Sequence, residues 1–301
     1  MAKEIKKTVN RTGKKLVAKA LVVKARTQSK VTAENIKRMN EKVALEKENL
    51  KLKTQNLKEE VTAEGKVKED KKYELTIGLK DLLAAGCHLG HKISKTHPKA
   101  KENIYIAKDG ISIVDLTKTL NDLEKACNFI YNARRNGKQI ALLGTKRQAR
   151  EVIKRVATDA GVAYITDRWL GGTISNWEQI RKNIRKYNDI KDGLEKNKFT
   201  DKSKKELLDL SKEQIRLEKM IGGLANLEKM FDVLFIVDAG FEKTAVKETK
   251  MRNIKTVAIS DTDADPRKVD FAIPANDDSV KSINLIVEEI GRAIKAAGVK
   301  N

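Results

Sequence analysis

The residues of this chain that could do chemistry are three histidines, two cysteines and a set of acids near expected strand ends. All three histidines fall within ten residues, as Cys87-His88-Leu89-Gly90-His91 and then His97. His88 and His91, with Cys87 and a distant Asp, could ligate zinc, which takes imidazole, thiolate and carboxylate in tetrahedral sites. The spacing fits no common zinc pattern, and no second ligand pair follows. The same loop also reads as one in which His91, with Lys99 and Lys101 beyond it, touches phosphate. Asp238, Asp261, Asp263 and Asp265 could hold magnesium as in a phosphoryl-transfer site. Nothing else in the sequence completes such a site. Gly144-Thr145-Lys146 has Thr where a Walker loop has the Gly before its Lys, and neither G-x-G-x-x-G after a strand nor G-x-S-x-G occurs. These residues predict no catalysis and no cofactor.

A different chemistry is written in residues 167–176, Asp-Arg-Trp-Leu-Gly-Gly-Thr-Ile-Ser-Asn. Arg168 and Trp169 can stack on bases or pair with phosphates. Gly171 and Gly172 let a backbone approach a ligand closely, and Asn176 opens the helix that follows. The competing reading is a Trp that plugs the core beside a tight turn. Further cations line up nearby in sequence: Lys146, Arg147 and Arg150 at one helix start, Arg181 and Arg185 along the next. No helix-turn-helix or finger context surrounds them, so duplex DNA is not the expected partner. The pattern suits shape and phosphate recognition of folded RNA.

Composition agrees. The chain has 301 residues, 63 Lys plus Arg against 42 Asp plus Glu, and a net charge of +21. Such a surplus calls for a polyanion, either nucleic acid or anionic membrane. No apolar run is long enough to span a bilayer. The cysteines lie far apart in sequence, which fits a reduced cytosol. The first 15 residues lack the apolar stretch of a secretory signal, and eight of the ten cations in residues 1–30 are Lys rather than the Arg of a mitochondrial presequence. A cytoplasmic protein is expected.

The elements that must position these residues follow from periodicity. Residues 1–74 form a basic extension: an arm over 1–30 with ten Lys or Arg against Glu4, a charged helix over about 31–65 with Ile36, Val43, Leu50 and Leu57 seven apart, and a linker. Residues 75–301 read as an α/β core. A short helix is expected over 75–86, then a hairpin over 103–116 turning at Asp109-Gly110, then a helix over 117–136. Five apolar runs alternate with helices from there, at 139–144, 162–166, 232–238, 256–260 and 271–274. That rhythm predicts a three-layer α/β/α fold with a five-stranded parallel sheet. Residues 176–227 interrupt it with two helices, the first marked by Trp177, Ile180, Ile184 and Tyr187, the second by Leu210, Leu217 and Ile221. They read as an inserted antiparallel coiled-coil hairpin, a reach element for a large partner.

Asp81-Leu82-Leu83-Ala84-Ala85-Gly86, His88-Leu89-Gly90-His91, Pro98-Lys99, Gly144-Thr145-Lys146 and Arg168-Trp169-Leu170-Gly171-Gly172 stand in that order. Leu217-Glu218-Lys219, Asp261-Thr262, Asp265-Pro266 and Ile273-Pro274-Ala275-Asn276-Asp277-Asp278 follow. In these motifs, over about 75–297, the chain resembles the family of the second protein of the bacterial small ribosomal subunit. The resemblance implies a flavodoxin-like sheet, no catalysis, and binding to small-subunit rRNA at the head–body junction on the solvent side. It also implies neighbouring ribosomal proteins, with the largest small-subunit protein docking on this one. Three positions depart from the family's pattern: Leu89 stands where an aromatic is usual, and Thr96-His97 where a Trp-Asn pair is usual. The family normally begins near Leu75, so the extension of 74 residues is an addition.

Overall fold

A computed structural model describes residues 72–196, 198–199 and 202–298. The basic arm and the charged helix expected over 31–65 lie outside the described residues.

The chain enters in extended form, with Tyr73 N donating to Asn128 Oδ1 at 2.6 Å. The buried carboxylate of Glu289 accepts from Thr76 N at 2.8 Å and from the Tyr73 hydroxyl at 3.1 Å. This tether keeps 73–76 extended, so α1 is only Leu79–Ala84 and not the full expected stretch. Next comes β1 (Leu89–Lys92), a strand the sequence reading did not anticipate, and two 3-10 turns at Ile93–Lys95 and Pro98–Asn103. The hairpin of β2 (Ile104–Lys108) and β3 (Ile111–Val114) turns where expected. Asp109 has φ 51° and Gly110 φ 77°, the double positive φ that an Asp-Gly pair supplies. β1 joins β3 antiparallel, giving the order β1-β3-β2.

The remaining elements are α2 (Leu116–Arg135), β4 (Ile140–Leu143), α3 (Arg150–Ala160), β5 (Ala163–Ile165), α4 (Trp177–Glu195), α5 (Lys204–Ile221), β6 (Val233–Val237), α6 (Lys243–Met251), β7 (Lys255–Ser260), β8 (Phe271–Pro274) and α7 (Val280–Ala296). The five later strands are parallel in the order β5-β4-β6-β7-β8, a flavodoxin-like arrangement whose direction of winding reverses between β4 and β6. Every residue of β4 and β6 is buried, which is why their sequences run apolar without alternation. One face of the sheet packs Leu142, Phe235 and Ile259 with Leu123, Ile130, Ile153, Ile286 and Ile290 of α2, α3 and α7. The other packs Leu143, Leu234 and Ile236 with Ile180, Ile184 and Leu217 of α4 and α5, and Ala245 and Val246 of α6. Three layers result, as the alternation of runs predicts.

α4 and α5 lie against each other, tied across by Lys186 Nζ to Glu213 Oε1 at 2.6 Å. Ser203 and Glu206 form a capping box that starts α5. The apolar seam is fully buried at Leu217 and Ile221, where the pair meets the sheet, while Leu208 and Ile215 are exposed.

Candidate nucleic-acid interface

The loop between β5 and α4 is shaped from inside by one acid. Glu248 of α6 is 7% exposed. Its Oε1 accepts from Gly172 N at 2.8 Å and from the Trp169 indole Nε1 at 3.3 Å. Its Oε2 accepts from Ile174 N at 3.0 Å, Ser175 N at 3.2 Å and Ser175 Oγ at 3.4 Å. One turn on, Arg252 Nη2 donates to Ser175 O at 2.9 Å. Among the described residues no cation forms a salt bridge with Glu248. Burial alone would push its carboxyl up, yet the amides of Gly172, Ile174 and Ser175 hold it below the usual carboxylate range.

Trp169 is therefore a core residue, 7% exposed and packed in the cluster that holds Ile174, Ile180 and Ile184. Gly172 has φ 94°, which a residue with a Cβ rarely adopts, and its N–H points inward to Glu248. The outward side of the loop carries different groups. Arg168 is exposed and, among the described residues, its side chain forms no hydrogen bond or ion pair. Gly171 is exposed with no described residue within 4 Å of where a Cβ would stand. Asn176 is exposed at the head of α4, and Arg181 and Arg185 continue along that helix, also exposed. The sequence reading thus splits: Arg168, Gly171, Asn176, Arg181 and Arg185 face solvent, and Trp169 and Gly172 serve the interior.

Arg150 staples this loop to its neighbour. Its Nε donates to Thr145 O at 2.9 Å and its Nη2 to Asp167 O at 3.3 Å. Arg147 stands exposed beside it, and Lys99 and Lys101 are exposed on the 3-10 turn Pro98–Asn103.

Lys146 is placed otherwise. Helix α3 begins at Arg150, not at 146, because Lys146 turns into the carboxyl edge of the sheet where the winding reverses. Its Nζ lies 2.7 Å from Asp238 Oδ2, 2.7 Å from Asp277 Oδ1 and 2.9 Å from Asp278 Oδ1. Burial works against its charge, but the Asp277 carboxylate and the other two outweigh that and hold the ammonium above its ordinary value. His91, brought in by β1, pairs its Nδ1 with Asp261 Oδ2 at 3.0 Å and its Nε2 with Asp278 Oδ2 at 3.5 Å. The close pairing with Asp261 pushes the imidazole up to about 9. β1 runs so close here that a Cβ on Gly90 would meet Ser112 O at 2.9 Å. Thr145 and Glu242 hydrogen-bond beneath the cluster. Lys146 and His91 are thus engaged by the protein's own carboxylates, which compete with any phosphate for them.

The cluster also bears on the metal alternatives. His91, Asp261 and Asp277 offer ligand atoms within 4.8 Å of one another, a spacing a divalent cation can span once the imidazole loses its proton. Asp277 is fully buried, and its Oδ2 has no hydrogen-bond partner among the described residues. Burial and the neighbouring Asp238 and Asp261 push its carboxyl up. This donor set replaces the His88–His91–Cys87 set of the sequence reading, since neither His88 nor Cys87 reaches it among the described residues. Of the four acids considered for magnesium, Asp261 belongs to the set and Asp238 pairs with Lys146. Asp265 instead caps the 3-10 turn Pro266–Lys268.

Sequence reasoning missed Glu248, Asp277 and Asp278 as organising residues. For Glu248 a signal exists, because it falls among Ala245, Val246 and Thr249, the positions α6 buries. An acid on a buried stripe needs a partner.

Residues 82–297 match the sequence profile of the family described as ribosomal protein S2. The chain belongs to that family. It is 41% identical over 218 residues to the small ribosomal subunit protein uS2 of Oenococcus oeni, covering 72% of this chain and 84% of that protein. Family membership makes it a ribosomal protein with a structural role in the small subunit, and the segment 1–81 lies outside the matched residues. No described helix is long and apolar enough to cross a membrane.

Proposed function

We propose that this S2-family protein binds small-subunit rRNA through the outward side of the 167–176 loop and the exposed face of α4. Arg168, Gly171 and Asn176 meet the RNA at the loop, Arg181 and Arg185 follow it along the helix, and Arg147, Lys99 and Lys101 extend the contact. The supporting observation is the contrast in pairing: Arg168 has no partner among the described residues and stands on a loop fixed from beneath, whereas Lys146 and His91 are tied to carboxylates. Phosphates attract such free guanidinium groups, and recognition of folded RNA rests on shape and backbone contacts. The protein carries out no catalysis and takes neither DNA nor membrane as partner. The α4–α5 pair acts as a projecting coiled-coil hairpin that touches neighbouring ribosomal proteins, with the largest small-subunit protein docking on this chain. The basic extension 1–74 adds rRNA or neighbour contacts.

Sedimentation of a lysate through a sucrose gradient tests this. The protein is expected with small subunits, and Arg168→Ala with Arg185→Ala is expected to lower that share without changing the melting temperature. Wild-type protein at the top of the gradient even at low salt contradicts the proposal. A nucleotide-binding α/β protein would instead show a thermal shift with ATP or GTP.

A further inference from the structure

We propose that Glu248 is the positioning residue of the rRNA interface, acting as an internal anion that sets the 167–176 loop before RNA arrives. The inference rests on the interface assigned to Arg168 above. The loop presents three backbone N–H groups, a hydroxyl and an indole N–H to one point, and the Glu248 carboxylate occupies that point. Convergent amides of this kind form an anion hole. Here the anion is part of the chain, so the hole is filled without a ligand and the loop stays folded in the free protein.

Two consequences follow from the geometry. The inward amides of Gly172, Ile174 and Ser175 are consumed, so they are not available to phosphate. With these amides and Trp169 turned in, Arg168 and Gly171 are left on the outside. A carboxylate suits this role better than an amide. Its two oxygens accept all five donors, whereas the NH2 of a Gln would face N–H groups with one of its own. Arg252, from the same helix, holds Ser175 O and fixes the end of the loop at the start of α4. Pre-organisation of this kind lowers the ordering cost of binding.

The test is a double-mutant cycle on binding of small-subunit rRNA, read below the melting temperature of every variant. Glu248→Gln is expected to weaken binding about tenfold, and to weaken it far less when Arg168 is already Ala, because the residue acts through that arginine. Ile290→Val, in the cluster on the other face of the sheet, is the stability control and is expected to leave affinity unchanged. If Arg168→Ala weakens binding but Glu248→Gln does not, or the two effects simply add, the positioning role is overturned while the interface stands. If Arg168→Ala has no effect, the interface itself fails and the inference goes with it. Glu248→Ala in formate or in chloride of equal ionic strength is a second arm. Formate offers two carboxylate oxygens to the empty hole and is expected to restore affinity, or native near-ultraviolet ellipticity of Trp169 and Trp177 if the variant does not fold alone. Equal behaviour in both salts overturns the internal-anion role.

Discussion

At the scale of single residues, this protein sorts its polar groups by what is already beside them. Trp169 next to Arg168 looks in sequence like a stacking pair, but the indole is spent on Glu248 and the core. Replacing Trp169 with Ala removes a buried aromatic and one of the donors to Glu248, which costs roughly 3–5 kcal/mol. Calorimetry should show a clear fall in melting temperature, and a change in RNA affinity alone would return the residue to a stacking role. His91 gives a pH signature. In an unfolded chain it titrates near 6.5, and in the fold at about 9. Its contribution is therefore complete below about pH 6.5 and lost as pH rises through about 9. Asp277, pushed up by burial, tilts stability in the same direction. Urea midpoints should fall across that window, and fall less steeply in His91→Gln. A midpoint that stays constant there contradicts the His91–Asp261 pair. None of these pairings could be read from the sequence, since Lys146 and Asp277 are 131 positions apart and only the parallel sheet brings their strands' ends together.

At the scale of elements, what was legible is what local rules write. Asp109-Gly110 between apolar runs gave the hairpin, and uninterrupted Val, Ile and Leu gave buried parallel strands. β1 was not legible, because four residues with no alternation carry no period, and its pairing is set by β3 across twenty or so positions. The start of α3 was misplaced because Lys146 reads as a good helix residue and is pulled out by three carboxylates. Helix spacing offers a direct test. Where α7 crosses α3, a Cβ on Gly291 would stand 2.4 Å from Val156 Cγ1. Gly291→Ala should destabilise by about 1–3 kcal/mol through overpacking, and Val156→Ala in the same background should recover part of it. Equal denaturation midpoints for Gly291→Ala and wild type contradict the close crossing.

At the scale of the whole molecule, a charge of +21 is a statement about partners. Like charges repel one another in the free protein and are neutralised by a polyanion. The family assignment supplies the small ribosomal subunit as the setting, and the contrast between Lys146, tied to carboxylates, and Arg168, with no ion pair among the described residues, is the ground for the RNA-facing surface proposed above. Counterion release makes that face countable, since each phosphate contact adds about 0.7–0.9 to the slope of log affinity against log salt. The deciding measurement is that slope for small-subunit rRNA, in wild type and in Arg168→Ala/Arg181→Ala/Arg185→Ala. The triple variant is predicted to bind more weakly and to lose roughly 2–3 from the slope. An unchanged slope and affinity would contradict the interface proposed for this loop and helix.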